Sequence, residues 1–151
     1  MPRTVVGGHR TTEVLVAVRA RWELATEASS VPAVRSAARR FLTEAGSPRE
    51  EREAVELVIT ELVTNSVVHS RLTGESIQVS VQVTKKGIHI EVRDHESEPP
   101  IVRTTGVDSP HGRGLEIVDG IATKWGWTAI EDNGKFVWCD VSRCSTVPEV
   151  G

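Results

Sequence analysis

The segment 61–69 is the first of three places where residue types and spacing could do chemistry. Glu61, Asn65 and His69 recur every four residues. On a helix this spacing puts the three side chains on one stripe, with Glu61 and Asn65 about 6 Å apart along the axis. A carboxylate and a carboxamide oxygen suit a hard cation such as Mg²⁺. A polar stripe that faces solvent has the same pattern, and the segment taken alone favours that interpretation.

The second place is Asp94, which directly follows the alternating segment IHIEVR at 88–93. This alternation predicts a strand, so Asp94 stands at its end. A carboxylate that faces a cleft there can accept a hydrogen bond from an amino group of a ligand. An aspartate that begins a turn is the alternative, and it is favoured if nothing else is considered.

The third place is a glycine-rich junction formed by Gly112, Arg113, Gly114 and Leu115. An apolar helical pattern follows it, so the glycines would expose backbone N–H groups at a helix N-terminus, where phosphate binds well. Arg113 adds positive charge. The sequence contains neither a P-loop nor the dinucleotide-binding fingerprint. Because many helices begin near a glycine, an ordinary helix start remains the alternative.

Hydrophobic periodicity predicts the elements that must position these residues. Residues 1–11 are polar and are predicted to be frayed. Ser30 is predicted to cap the first helix, and Ser47 is predicted to form a capping box with Glu50 at the start of the second. The predicted order is a strand at 12–24, helices at 30–45 and 48–69, strands at 76–84 and 88–93, a loop at 95–112, a helix at 114–122, and strands at 124–130 and 136–142. This order predicts an α/β (α+β) two-layer sandwich with helices on one face of a mostly antiparallel mixed sheet.

Composition excludes several classes of function. A net charge of −3 gives no general attraction to nucleic acid or to an anionic membrane. No apolar run approaches the roughly 20 residues that span a bilayer, and the first residues lack a secretory signal. The two cysteines are five residues apart and the five histidines are scattered, which argues against a structural zinc site. We therefore expect a cytoplasmic protein that binds neither nucleic acid nor membrane directly.

Taken together, the three places resemble the GHKL (Bergerat-fold) ATPase superfamily in order and spacing. ELVTNSVVHS resembles its N box, and IHIEVRD resembles the first glycine-box strand, which ends in the adenine-reading aspartate. HGRGLEIVDGIATKWGW resembles the second glycine box with the helix and strand after it, and GKFVWCDV resembles the last hairpin strand. The resemblance covers about residues 22–142 and is strongest to bacterial anti-sigma factor serine/threonine kinases and related stand-alone ATP-binding proteins.

The resemblance implies ATP and Mg²⁺ as cofactors and assigns a role to each candidate residue. Asn65 would coordinate Mg²⁺, and Glu61 would act as the catalytic general base. Asp94 would bind the adenine amino group. The segment Gly112–Leu115 would wrap the phosphates, with residues 98–111 as a lid.

The implied function is phosphorylation of a STAS-type anti-sigma antagonist, and thereby control of transcription through a sigma factor. The alternative is a nucleotide-gated module that binds a sigma factor or antagonist with little or no kinase activity. Glu61 and Asn65 favour the kinase. The segment 94–98 favours the binding module, because it lacks the glycines usual in the first glycine box. A scaffold of the same fold that binds no nucleotide is a third hypothesis.

The resemblance also divides the chain. Residues 1–20 would be an N-terminal extension that can supply an extra edge strand, within the chain or across a homodimer. Residues 21–143 would be a histidine-kinase-like ATPase domain. Residues 144–151 would be a flexible tail.

Overall fold

The computed structural model describes residues 3–8, 16–70, 75–95, 114–130 and 134–143. The predicted lid and the first two residues of the glycine-rich junction lie outside these ranges. The described residues form the following elements: β1 (Arg3–Gly8), β2 (Val16–Leu24), α1 (Ser30–Glu44), α2 (Arg49–Ser70), β3 (Ile77–Val83), β4 (Ile88–Asp94), α3 (Gly114–Ile121), β5 (Lys124–Ala129) and β6 (Lys135–Val141).

The six strands form one sheet in the order β1-β2-β3-β4-β6-β5. Each of the five pairings between described strands is antiparallel. Burial alternates along β3, β4 and β6, and α1 and α2 pack against this sheet, so the helices cover one face. The predicted two-layer α+β architecture is confirmed. No helix within the described ranges is both long and apolar enough to cross a membrane.

The core lies between the helices and the sheet, and it fixes the rotation of α2. The apolar residues of α2 recur at intervals of three and four and are almost fully buried: Val55, Val58, Ile59, Leu62 and Val63. Burying a side chain of this size contributes about 1.5–3 kcal/mol, so any other rotation of the helix would be costly. Glu61 and Asn65 therefore sit at the margin of the buried face, where both are partly exposed.

The chain start differs from the prediction of a frayed segment at residues 1–11. Arg3–Gly8 form β1, which pairs along the edge of β2 with Val6 opposite Val18. Of the predicted strand at 12–24, Val16–Leu24 form β2, and residues 12–15 lie outside the described ranges. Local composition suggested disorder, but the hydrogen-bonding edge of β2 provides a partner that a sequence pattern does not show.

The helix starts also differ from the predicted caps. Ser30 is the first residue of α1 rather than its cap, and its Oγ donates to the carbonyl oxygen of Ala25. The capping box at the start of α2 does not form, because Oγ of Ser47 is buried without a hydrogen-bond partner in the described part of the chain. The end of α1 follows the prediction, since Gly46 has a positive φ of 82° that favours glycine.

The sheet face opposite the helices carries a charged cluster centred on His89. Nδ1 of His89 lies 2.6 Å from Oδ1 of Asp140, and Nε2 lies 2.9 Å from Oε2 of Glu91. Burial lowers the pKa of His89, but the hydrogen bonds to Asp140 and Glu91 outweigh this and raise the pKa above its ordinary value of 6.5. The His89 ring also stacks on Trp138, with ring centroids 6.1 Å apart.

We expect His89 to stabilise the fold more at low pH than at high pH. Because its folded-state pKa is raised, its contribution is fully present below about pH 6.5 and is lost as the pH rises through the folded-state pKa. The side chain is 37% exposed, so solvent screening keeps the effect below about 1 kcal/mol. Urea unfolding of the wild type and His89→Gln should show a stability difference that shrinks between about pH 6 and about pH 9. A constant difference would contradict this assignment.

Candidate functional site

Asp94 is a buried carboxylate at the end of a central strand. Alternation along β4 puts it on the helix-facing side with Val92, and it is 1% exposed. Oγ of Ser66 on α2 donates to Oδ2 of Asp94 over 2.7 Å. Nζ of Lys135 lies 3.2 Å from Oδ1 and 3.3 Å from Oδ2. The carboxylate is thus held from two sides, by the long helix and by the neighbouring strand.

Lys135 reaches Asp94 because β6 pairs with β4 in a register that places the two residues opposite each other. The preceding Gly134 has a φ of 144°, and a Cβ at this position would lie 2.7 Å from the backbone oxygen of Asp94. Glycine at this position therefore permits the close approach of the backbone at 134 to the end of β4. Lys135 is 3% exposed, and a lysine so deeply buried requires a charged or hydrogen-bonded partner, which Asp94 provides.

The hydrogen bond from Ser66 connects Asp94 to the helix that carries the other two candidates. Asn65 immediately precedes Ser66, and Glu61 lies one helical turn before Asn65. Both are partly buried on α2. The hydrogen bond from Ser66 therefore connects the carboxylate of Asp94 to the helix that carries Glu61 and Asn65.

The glycine-rich junction is only partly described. Gly112 and Arg113 lie outside the described residues, as does the predicted lid at 98–111. Gly114 begins α3 and Leu115 follows it. The helix α3 packs against α2, and Nε1 of Trp125 on β5 donates to Oδ1 of Asp119 on α3 over 3.0 Å. These contacts place α3 beside the helix that carries Glu61 and Asn65.

The oxygen donors on α2 are chemically suited to a magnesium ion that arrives with a nucleotide. Among the described residues, no group of three or more histidine, cysteine, aspartate or glutamate side chains could hold a metal. Mg²⁺ bound to phosphates needs only one or two protein ligands, because phosphate and water oxygens complete its octahedron. The carboxamide oxygen of Asn65 is a hard donor and fits this requirement.

Two residues of the site, Ser66 and Lys135, were missed by the sequence analysis. The sequence contains a pattern that could have identified Lys135. It lies on the same side of the alternating strand β6 as three buried residues, Val137, Cys139 and Val141, so burial of the lysine is expected from the alternation. Ser66 carries no such signal, since a serine next to Asn65 on a helix is unremarkable in composition.

Comparisons with known proteins identify the family and the fold of the chain. A family model described as a histidine kinase-like ATPase domain matches residues 24–139. A solved chain from the SiaB–SiaC complex of Pseudomonas aeruginosa has a similar fold, with a TM-score of 0.60 and 12% identity over 80% of this chain and 88% of that chain. No curated protein matches the chain significantly. Because the family model spans well over half of the sequence, the chain belongs to the histidine kinase-like ATPase domain family.

Proposed function

We propose that the chain is an ATP- and Mg²⁺-dependent serine/threonine kinase that phosphorylates a STAS-type anti-sigma antagonist. The observation that carries this proposal is the hydrogen bond between Ser66 and Asp94. It joins a base-binding carboxylate at the end of β4 to the helix that bears a general base and a metal ligand. Family membership supports nucleotide binding at this place in the fold.

Asp94 binds the adenine base in this proposal. An ionised carboxylate only accepts hydrogen bonds, which suits the exocyclic amino group of adenine. Its burial makes such a bond stronger than it would be in water, because the local dielectric constant is low. The contacts with Ser66 and Lys135 hold the carboxylate in a fixed orientation before the base arrives.

Glu61 and Asn65 act at the phosphate end. Asn65 would hold the magnesium ion through its carboxamide oxygen, and bound Mg²⁺–ATP would supply an activated γ-phosphoryl group. Glu61 takes the proton from a serine or threonine hydroxyl of the partner. The hydroxyl oxygen bonds to the γ-phosphorus while the bond from phosphorus to the β–γ bridging oxygen breaks, and ADP leaves with that electron pair. Backbone N–H groups of the segment Gly112–Leu115 stabilise the phosphate charge.

The partner is proposed to be another protein in the cytoplasm. The similar chain from Pseudomonas aeruginosa was solved in a complex of two proteins, which supports a protein partner for this fold. The same observation supports a second candidate function, a nucleotide-gated module that binds an antagonist or a sigma factor without transferring phosphate. Loss of phosphotransfer in a Glu61 variant separates the two, because a module without kinase activity has no transfer to lose.

We expect Asn65→Ala to lose at least about tenfold in Mg²⁺-dependent ATP affinity, because it removes a protein ligand of the metal. The measurement is calorimetry of ATP and ADP binding with and without Mg²⁺. Thr60→Ala is the matched control, since Thr60 lies on the same helix and its hydroxyl bonds the carbonyl oxygen of Glu56. Unchanged affinity in Asn65→Ala would contradict the metal-ligand role. No binding by the wild type at about 1 mM nucleotide would overturn the kinase proposal and favour a scaffold that binds no nucleotide.

A further inference from the structure

Lys135 is a buried cation that the proposed reaction does not use. Its Nζ lies within 3.3 Å of both carboxylate oxygens of Asp94, and its side chain is 4% exposed. The other helix-facing positions of β6 hold Val137, Cys139 and Val141, all buried. Apolar residues can often replace a buried ion pair without loss of stability, so the pair is weak evidence of a purely stabilising role for Lys135.

The ligand offers a matching pair of groups. Adenine presents its exocyclic amino group, a donor, directly beside the ring nitrogen N1, an acceptor. In the Asp94–Lys135 pair the carboxylate accepts hydrogen bonds and the ammonium donates them. If Asp94 accepts from the amino group, N1 is the adjacent acceptor on the same edge of the base, and Lys135 is a donor held at that carboxylate.

We propose that Lys135 determines base specificity by donating a hydrogen bond to N1 of adenine while Asp94 accepts from the amino group. This inference rests on the proposed function, because it requires nucleotide to bind at Asp94. The Asp94–Lys135 pair would then recognise the base through two hydrogen bonds, in addition to forming a structural ion pair.

The same pair disfavours guanine in the adenine pose. Guanine places its carbonyl oxygen O6 where adenine has the amino group, and an N–H where adenine has the unprotonated N1. O6 would then face the carboxylate of Asp94, and the N–H would face the ammonium of Lys135. Both contacts would be repulsive, and leaving buried polar groups without partners gives strong discrimination.

The experiment pairs a change in the protein with a change in the ligand. The ligands are ATP and 1-deaza-ATP, in which N1 is replaced by C–H, and the variants are Lys135→Met and the control Lys124→Met at the exposed start of β5. By calorimetry, the wild type and Lys124→Met should prefer ATP by at least about tenfold, which corresponds to about 1.4 kcal/mol. In Lys135→Met the preference should fall to nearly one. A preference that persists in Lys135→Met, or equal binding of both ligands by the wild type, would overturn the proposal.

A second measurement needs no folded Lys135 variant. The chain has four lysines, at positions 85, 86, 124 and 135, so ¹⁵N-lysine labelling gives a simple ammonium NMR spectrum. Replacing the first three by arginine assigns the remaining signal to Lys135. ATP should shift that signal clearly more than 1-deaza-ATP does. Equal shifts from the two ligands would overturn the proposal.

The two levels of failure are distinguishable. If the wild type binds neither ATP nor 1-deaza-ATP, the proposed function fails and the inference fails with it. If both ligands bind tightly and equally, the nucleotide site stands while the role of Lys135 at N1 is wrong.

Discussion

We expect Glu61→Ala to lower the rate of phosphotransfer by about 10²–10⁴-fold, the usual contribution of a positioned general base. ATP affinity should change by less than about twofold, because Glu61 acts on the partner hydroxyl and not on the nucleotide. The measurement is transfer from γ-labelled ATP to a purified STAS-type antagonist, with ATP binding followed by calorimetry. A large loss of rate at constant affinity would identify an interaction made in the transition state.

Glu53→Ala is the matched control for Glu61→Ala. Glu53 is also a glutamate of α2, two turns before Glu61, and it forms an exposed ion pair with Arg49. Its removal should leave both rate and affinity unchanged. Full transfer by Glu61→Ala would show that another group removes the proton. Transfer by neither the wild type nor any variant would favour the nucleotide-gated binding module.

The second large effect concerns stability at the other end of α2. Glu51, 1% exposed, accepts from Nε of Arg143 over 3.1 and 3.0 Å, and Nη1 of Arg143 donates to the carbonyl oxygen of Thr84 over 2.8 Å. Arg143→Met removes a charged partner of a buried carboxylate, and breaking such a pair typically costs 3–5 kcal/mol. Since the Arg143 side chain is 29% exposed, we expect about 3 kcal/mol, or a fall in Tm of about 6–12 °C. Urea unfolding and thermal melts measure this.

Two further variants test the cause of that loss. Arg49→Met removes an arginine from a surface ion pair whose side chains are 79% and 63% exposed, so its effect should be close to zero. The double variant Glu51→Leu with Arg143→Met removes both charges, and it should recover most of the lost stability. A double variant as unstable as Arg143→Met would mean that lost packing, not a stranded charge, is the cause.

The parts of the fold with strong local periodicity were predictable from sequence. Alternation in 88–93 identified β4 and placed Asp94 at its end, and the spacing of Val55, Val58 and Leu62 identified α2 and its buried face. Both patterns depend only on near neighbours, because burial of one face imposes a period of two on a strand and of 3.6 on a helix.

The missed features depend on long-range pairing. Lys135 follows a turn, where lysine is normally exposed, and only the pairing of β6 with β4 reveals that it meets Asp94. Similarly, β1 is a strand only because β2 offers it an edge. The capping box at Ser47 is the reverse case, a motif that was predicted from sequence but is not formed in the structure. The hydroxyl of Ser47 is buried and does not make the expected hydrogen bond. Sequence patterns do not contain these tertiary contacts.

The added strand β1 has a consequence for contacts between copies of the chain. The family match begins at residue 24, the last residue of β2, so β1 and nearly all of β2 lie outside the matched region. An open strand edge is a template on which a second chain can add its own strand. With β1 in place, β2 no longer presents that template, and the edge passes to a six-residue strand that ends in Gly7 and Gly8. Because glycine weakens strands, this edge is a poorer template for a second copy of the chain than β2 would be.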